Sequence, residues 1–247
     1  MTATSRAEEL TGRLAAVHRR IDAALLEAGR TDRPRLIVVT KYFPVADLRI
    51  LAELGVADLG ENRDQEASAK AQELADLGLR WHFIGQLQSN KARSVARYAH
   101  AVHSVDRASL VKALGKGVAA ERETNPEGRA LDCFIQVDLS GADGATEGVS
   151  GHQRGGAAPE KVNTLGHLIE GTDGLSLAGV MAVAPLGREP RAAFEQLATI
   201  SALLRTEFPA ATGISAGMSG DLEAAVAVGA THLRIGSQVL GERPPLG

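Results

Sequence analysis

The sequence has little cysteine, few aromatic residues and little net charge, and each shortage excludes a class of protein. Cys133 is the single cysteine, so no disulfide can form within the chain. Its position in the apolar run LDCFIQV indicates a buried small side chain. Phenylalanine, tryptophan and tyrosine make up 3% of the residues, and the net charge is -3. These values argue against a surface that stacks on bases or attracts the phosphates of nucleic acid.

Long hydrophobic runs are also missing. No stretch approaches the ~20 consecutive apolar residues that a membrane-spanning helix needs. The first residues, MTATSRAEELTGRLAAVHRR, are rich in charge and lack the apolar core of a secretion signal. We therefore expect a cytoplasmic protein with no membrane partner.

What the sequence contains is a regular alternation of β-rich and helical segments over 247 residues. Several β-rich runs are continuously apolar, which is typical of parallel strands covered by helices. Eight such runs, each followed by a helical pattern or turn, predict one α/β domain over 1–247, a closed (β/α)8 TIM barrel. An open doubly wound sheet is the alternative. The predicted strands are 35–41, 57–62, 81–85, 101–105, 131–139, 177–183, 212–218 and 232–237.

Two segments depart from this repeat. Over 6–28, apolar residues recur at spacings of three and four, which predicts an additional N-terminal helix. Residues 140–158 are rich in glycine, alanine and serine and predict a mobile loop after the fifth strand. In a barrel this loop belongs to the face where sites are built, so it is either a lid or an insertion without function.

Lys41 ends the run RLIVVTK, which otherwise looks fully buried. In a barrel it lies at the carboxyl end of the first strand, with its amine projecting into the mouth above a packed interior. Apolar surroundings disfavour the ammonium form of a lysine, and a neutral amine can form a Schiff base with a carbonyl. A lysine that simply reaches solvent from the end of a strand is the alternative.

The last two predicted strands end in small, hydrogen-bonding turns, ISAGMSGD and RIGS. Barrels often bind phosphate at these two positions, through backbone N–H groups and a helix N-terminus. Ser219 is also the expected N-cap of the helical run over 220–228. Either turn alone is ordinary loop chemistry, but together they predict a phosphate site. The residues concerned are Ser215, Gly217, Ser219, Gly236 and Ser237.

Arg234 lies two residues before Gly236, so both face the same side of the eighth strand. An unpaired buried charge is costly, and an arginine inside a barrel therefore needs a partner. A ligand is one candidate partner and an internal carboxylate is the other. The carboxylates available are Asp58, Glu61 and Asp138.

A lysine amine, a phosphate site and an arginine on one rim together predict pyridoxal 5′-phosphate (PLP), which has an aldehyde, a phosphate and a ring nitrogen. Arg234 stays protonated and would donate to an unprotonated ring nitrogen, which weakens the ring as an electron sink. The sequence has no G-x-x-x-x-G-K-[ST], H-E-x-x-H or G-x-S-x-G motif that would favour another chemistry.

Three more residues are predicted near this rim. Asn62 ends the second strand. His82, in the third, either lies near the cofactor ring or is a hydrogen-bonded core histidine. Met181, in the sixth, is expected to pack in the interior with one face towards the ligand.

The sequence resembles the YggS/PROSC-type pyridoxal phosphate homeostasis proteins from about residue 10 to residue 243. The resemblance implies a barrel like the N-terminal domain of alanine racemase, with covalently bound PLP. It also implies a role in vitamin B6 and amino-acid balance without established catalysis. The matching stretches are LIVVTK, LGENRDQE, WHFIGQLQSNK, IQVDLS, LAGVMAV, ISAGMSGDLEAAVAVGATHLRIGS and LGER.

By position in these motifs, the resemblance implies Lys41 as the Schiff-base lysine, Arg234 as the partner of the ring nitrogen and Asn62 as a neighbour of the cofactor. Family members commonly have a methionine where Ala216 stands. They also commonly have a lysine before the glycine of the loop after the fifth strand, where this sequence reads ATEG over 145–148. The implied phosphate contacts are Ser215, Met218, Ser219, Gly236 and Ser237.

A PLP-dependent amino-acid racemase is the alternative function. Such an enzyme exchanges a proton on both faces of a carbon and needs one acid/base group per face. In alanine racemase the group opposite the lysine is a tyrosine from a second domain of the partner subunit, and we expect no such domain here. Tyr42 follows the lysine, and Tyr98 falls in an outer helix. We expect a monomeric PLP-binding protein without strong catalytic activity, with PLP-dependent apo-enzymes as candidate partners. A degenerate barrel that binds nothing is a third reading.

Overall fold

The computed structural model describes residues 3–126, 128–140, 155–185, 187 and 189–242. Within these ranges, eight parallel strands form a closed barrel in chain order, and the last strand pairs with the first. The predicted (β/α)8 barrel is confirmed, and the open sheet is excluded. The strands are β1 (Arg35–Val39), β2 (Asp58–Glu61), β3 (Arg80–Phe83), β4 (Ala99–Val105), β5 (Leu131–Gln136), β6 (Leu175–Met181), β7 (Gly213–Ser215) and β8 (His232–Ile235).

Helices surround the strands, and the predicted N-terminal helix is confirmed. Seven of the eight strands stop earlier than predicted and β4 ends as predicted; at the site, β1 stops at Val39 and β7 at Ser215. The β-type sequence pattern continues there into turns that leave the sheet to form the mouth of the barrel. The helices are α1 (Ala3–Glu27), α2 (Val45–Glu53), α3 (Asp64–Glu73), α4 (Ala92–Tyr98), α5 (Ala108–Arg122), α6 (Val162–Glu170), α7 (Pro190–Glu207), α8 (Leu222–Ala227) and α9 (Ser237–Leu240).

Helix α1 packs its apolar stripe on the barrel side that carries α8 and α9. Its polar side chains also reach the chain around the mouth: Arg20 donates from Nη1 to the carbonyl oxygen of Ser219 at 2.7 Å. Arg6 forms an ion pair with Asp47 of α2 at 2.6 Å. The extra helix therefore supports the turn that precedes α8. Its buried stripe is Leu10, Leu14, Val17 and Ile21.

The hydrophobic core has two parts. A large cluster fills the layer between strands and helices, whereas a small one of Ala101, Phe134 and Met181 lies apart from it. Where β6 passes β7, Gly179 has a φ of 148°, and a Cβ there would lie 1.9 Å from the carbonyl oxygen of Gly213. This close approach of two backbones has room for glycine only.

The predicted loop over 140–158 lies largely outside the described residues, which omit 141–154 and with them the ATEG stretch. The described part that follows returns to the end of β5. There the N–H of Ala157 donates to Gln136 at 2.8 Å and the N–H of Asp138 donates to Ala157 at 2.9 Å. Among the helices described, none combines the length and apolar character needed to cross a membrane.

Candidate functional site

Three turns meet at the mouth where the strands end. Lys41 follows β1, and a Cβ on Gly236, which follows β8, would lie 3.2 Å from the carbonyl oxygen of Val39. The backbone N–H of Arg234 donates to the carbonyl of Gly217, in the turn after β7, at 2.9 Å. The lysine and the two small turns predicted from the sequence therefore lie on the same rim. Their convergence follows from closure, because β8 lies between β7 and β1.

The turn that carries Lys41 has a special backbone. Tyr42 has a φ of 71°, and no other non-glycine residue within the described ranges has a positive φ. Such a conformation is unfavourable for a bulky residue and persists only where surrounding contacts hold it. The side chain of Lys41 is half-buried at this point.

Lys70 and Glu66 of α3 hold this turn from the outside. Lys70 is buried, and its Nζ donates to the carbonyl oxygen of Thr40 at 2.9 Å, to Glu61 at 2.7 Å and to Glu66 at 2.6 Å. The backbone N–H of Tyr42 donates to Glu66 at 2.6 Å. Thr40 and Tyr42, the residues on either side of Lys41, are thus both hydrogen-bonded to side chains of α3. Burial raises the pKa of Glu61, and the ammonium of Lys70 opposes that rise.

This clamp was missed by sequence reasoning. The one signal for it is the spacing of Glu66 and Lys70, four residues apart in DQEASAKAQE. That spacing is also what an exposed helical ion pair would show, so it does not distinguish a buried clamp from a solvated pair.

We expect Lys70→Met to destabilise the fold by about 3 kcal/mol, because it leaves the buried carboxylate of Glu61 without its cation. The substitution keeps the length of the side chain. Lys116→Met on the exposed face of α5 removes the same charge and should stay within about 0.5 kcal/mol of wild type. Urea unfolding monitored by circular dichroism measures both. Equal unfolding free energies for the two variants would contradict the clamp.

The turn after β7 is organised differently from the prediction. Helix α8 begins at Leu222, and the residue preceding it is Asp221, so Ser219 is not the N-cap. The carboxylate of Asp221 accepts from the backbone N–H of Met218 at 2.5 Å. Sequence spacing alone does not show which of these two oxygen-bearing residues is the N-cap. Ser219 instead lies 3.4 Å from the hydroxyl of Ser237, so the two predicted phosphate turns contact each other.

Ser215 is the predicted phosphate residue whose side chain faces away from these turns. It is fully buried, and its hydroxyl accepts from Nη1 of Arg234 at 2.6 Å and lies 2.9 Å from Nδ1 of His103. Its side chain therefore contacts the barrel interior and not the predicted phosphate turns. In the interior, the hydroxyl of Ser215 is thus paired with an arginine and not with an anion.

Arg234 lies inside the barrel with 4% of its surface exposed. Its two described partners are uncharged, the hydroxyl of Ser215 and the carbonyl oxygen of Ala182 at 2.8 Å. The three carboxylates considered from the sequence are not among them. Complete burial lowers the pKa of Arg234 to about 10, which keeps the guanidinium charged at neutral pH.

His82, Asn62 and Met181 differ in their relation to the mouth. Both ring nitrogens of buried His82 are taken, by Asp58 at 2.8 Å and by His103 at 2.9 Å, which favours the reading of a core histidine. Asn62 follows β2, and its buried Oδ1 has no hydrogen-bond partner among the described residues. Met181 is buried in the small core cluster, as predicted for interior packing.

Comparison with known proteins agrees with this geometry. A family model described as alanine racemase, N-terminal domain, matches residues 14–244. The chain is 45% identical over 227 residues to a pyridoxal phosphate homeostasis protein of Corynebacterium glutamicum, covering 91% of this chain and 98% of that one. A protein of the same name from Mycobacterium tuberculosis is 41% identical over 249 residues, covering 96% and 94%. This chain belongs to the pyridoxal phosphate homeostasis protein family.

Solved structures place the family on the same fold. PipY from Synechococcus elongatus PCC7942, whose structure has PLP bound, is 32% identical with a TM-score of 0.75, covering 94% of this chain and 100% of that chain. The alanine racemase of Corynebacterium glutamicum is 14% identical with a TM-score of 0.63, covering 95% and 63%. That second likeness shows the barrel alone, so the racemase reaction is not carried over to this family member.

Proposed function

We propose that this protein binds PLP at the carboxyl-end mouth, holds it as a Schiff base on Lys41 and serves intracellular PLP homeostasis. The observation that carries the proposal is the meeting of three groups at one rim: the lysine after β1, the paired serine turns after β7 and β8, and the buried Arg234. The names of the relatives and the PLP in the PipY structure support it.

The residues at this mouth fit the cofactor. PLP supplies an aldehyde for an amine, a phosphate for backbone N–H groups and hydroxyls, and a ring nitrogen for a donor. Ser219, Ser237 and the start of α9 are suited to the phosphate. Gly217, with a φ of 89°, has no space for a Cβ, which would lie 2.7 Å from Ala225. The unpartnered Oδ1 of Asn62 is an acceptor for a ligand donor.

Lys41 is the lysine to which we assign the covalent bond. The amine of Lys70, its neighbour across the turn, is already engaged by three acceptor oxygens on α3, β2 and the backbone. A nucleophile needs a free electron pair, and an ammonium held by two carboxylates does not offer one. Because these contacts engage the amine of Lys70, we assign the Schiff base to Lys41.

Storage or delivery agrees better with the residues than catalysis does. A charged Arg234 donates to the ring nitrogen and keeps it unprotonated, which weakens electron withdrawal by the ring. The hydroxyl of Tyr98 is engaged by Asp64 at 3.3 Å, so this tyrosine is not free to act as a second acid/base group. We propose a cytoplasmic monomer that supplies PLP to apo-enzymes, with racemisation as the alternative to be excluded.

The proposal is tested by intact mass before and after borohydride reduction. We expect one reduced phosphopyridoxyl group per chain, mapped by peptide sequencing to Lys41. Incubation of the loaded protein with each amino acid in deuterated water tests for catalysis. Steady α-proton exchange at enzyme-like rates would overturn the storage role, and failure to take up PLP would overturn the proposal as a whole.

A further inference from the structure

A continuous line of hydrogen bonds crosses the barrel interior. It starts at the carboxylate of Asp58, in the first residue of β2, and passes to Nε2 of His82 at 2.8 Å. Nδ1 of His82 lies 2.9 Å from Nε2 of His103, whose Nδ1 lies 2.9 Å from the hydroxyl of Ser215. That hydroxyl accepts from Nη1 of Arg234 at 2.6 Å. The line thus joins the end of the barrel where strands begin to the residue assigned to the cofactor ring.

The chemistry of the two end groups forces one direction on this line. Arginine is a donor only, and an ionised carboxylate is an acceptor only. Burial would raise the pKa of Asp58, but hydrogen bonds from Arg80 and His82 outweigh it and hold that pKa well below its usual range. Asp58 is therefore ionised at neutral pH and must accept a hydrogen bond from Nε2–H of His82.

Each inner group then has a single role left. Neutral His82 carries its proton on Nε2, which donates to Asp58, so its Nδ1 is an acceptor and His103 must donate from its own Nε2. Nδ1 of His103 in turn accepts a hydrogen bond from the hydroxyl of Ser215. The lone pairs of Ser215 are then directed to Arg234. With both histidines neutral, this is the one arrangement of protons that satisfies all four links.

The surroundings keep both histidines neutral. His103 is fully buried and stacks on Phe134, with ring centroids 4.2 Å apart and planes at 12°. His232 lies edge-on to His103 at 6.0 Å. Burial lowers the pKa of both His82 and His103; at His82 it outweighs the opposite effect of the Asp58 carboxylate, and at His103 the neighbouring histidines lower the pKa further.

We propose that Asp58 is a positioning residue for Arg234, acting across the barrel through His82, His103 and Ser215. The carboxylate sets the direction of every hydrogen bond in the line, so the hydroxyl proton of Ser215 points to His103 and both oxygen lone pairs are left to Nη1 of Arg234. Together with the carbonyl of Ala182 on Nη2, this holds the plane of the guanidinium at the mouth. The inference rests on the proposed function only where it concerns PLP, because the line exists in the protein alone.

Nitrogen-15 NMR of histidine- and arginine-labelled protein without PLP tests the line directly. In wild type we expect His82 and His103 both as neutral Nε2–H tautomers, and Arg234 with slow rotation of its guanidinium. Asp58→Leu removes the terminal acceptor and should mix the tautomers and speed that rotation. Asp58→Asn keeps a carbonyl acceptor and should retain both the wild-type histidine tautomers and the slow rotation of Arg234. An Nδ1–H or charged form of His103 in wild type would overturn the proposal.

Two further variants make the test independent of the stability of Asp58→Leu. Ser215→Ala removes the last link, so we expect faster rotation of Arg234 with the tautomer of His82 unchanged. Asp132→Leu removes a carboxylate of the neighbouring strand β5 that lies 3.6 Å from His100 and outside the line. It should change neither signal. Unaltered rotation of Arg234 in Ser215→Ala would also refute the positioning role.

PLP binding supplies the second readout. The dissociation constant for PLP should rise about tenfold in Asp58→Leu and stay unchanged in Asp132→Leu, the loss expected for one weakened hydrogen bond to a charged group. If the NMR signals are as expected and wild type binds no PLP, the proposed function fails and the line stands. If PLP binds every variant equally, the positioning role fails and the proposed function stands.

Discussion

Replacing Lys41 by alanine is expected to abolish the covalent adduct with PLP completely. No other described lysine combines a position directly after a barrel strand with a place beside the serine turns, and the amine of Lys70 is taken by three oxygens. Phosphate contacts at Ser219 and Ser237 should still allow weaker, reversible binding. Intact mass after borohydride reduction, together with the visible spectrum, measures both effects.

Lys91→Ala is the matched control for this experiment. Lys91 lies in the turn after β3 at the same mouth, 4.0 Å from Asp64, so the control removes an amine from the same rim. It should keep the full adduct. A reduced phosphopyridoxyl group that persists on Lys41→Ala would show that another lysine carries the bond, and the assignment would be wrong.

Replacing Gly179 by alanine is expected to cost about 3 kcal/mol or more of folding free energy. The new Cβ would lie 1.9 Å from the carbonyl oxygen and 2.6 Å from the carbonyl carbon of Gly213, and both are backbone atoms. They cannot move aside without opening the β6–β7 pairing that places Ser215 beside Met181. Urea unfolding gives the free energy, and PLP uptake reports whether the mouth survives.

Gly12→Ala is the control for the same chemical change. Gly12 lies on an exposed part of α1, and a Cβ there would meet no atom within 4 Å. Alanine favours helix over glycine, so this variant should be more stable than wild type by up to about 1 kcal/mol. If Gly179→Ala unfolds at the same urea concentration as wild type, the close approach of β6 and β7 is not a constraint.

The local sequence pattern was sufficient for the elements and for placing Lys41 and the two serine turns on one rim. The apolar run that ends in Lys41 predicts β1, and the turns ISAGMSGD and RIGS follow β7 and β8 as expected. The errors lie at boundaries. The N-cap of α8 is Asp221 and not Ser219, because the conformation of the turn decides which of two oxygen-bearing residues so close in sequence precedes the helix.

The clamp on the Lys41 turn shows why other features were missed. Helix α3 reads as a polar helix, and nothing in DQEASAKAQE marks Lys70 as buried. Its burial is compensated by three acceptors that meet at its amine, the carbonyl of Thr40 just past β1 and the carboxylates of Glu61 and Glu66. A contact of this kind depends on how the turn and the helix meet, and residue spacing does not record it.

The alternation of apolar strands and helices determined by itself that the chain forms a barrel and that the lysine and both serine turns share one mouth. This follows because parallel strands all end on the same face. Only the tertiary structure decided which polar side chains meet inside. His103 and Ser215 are 112 residues apart, and their contact depends on the stagger of neighbouring strands in the closed sheet. That stagger is set by packing around the whole barrel, so no local stretch of sequence contains it.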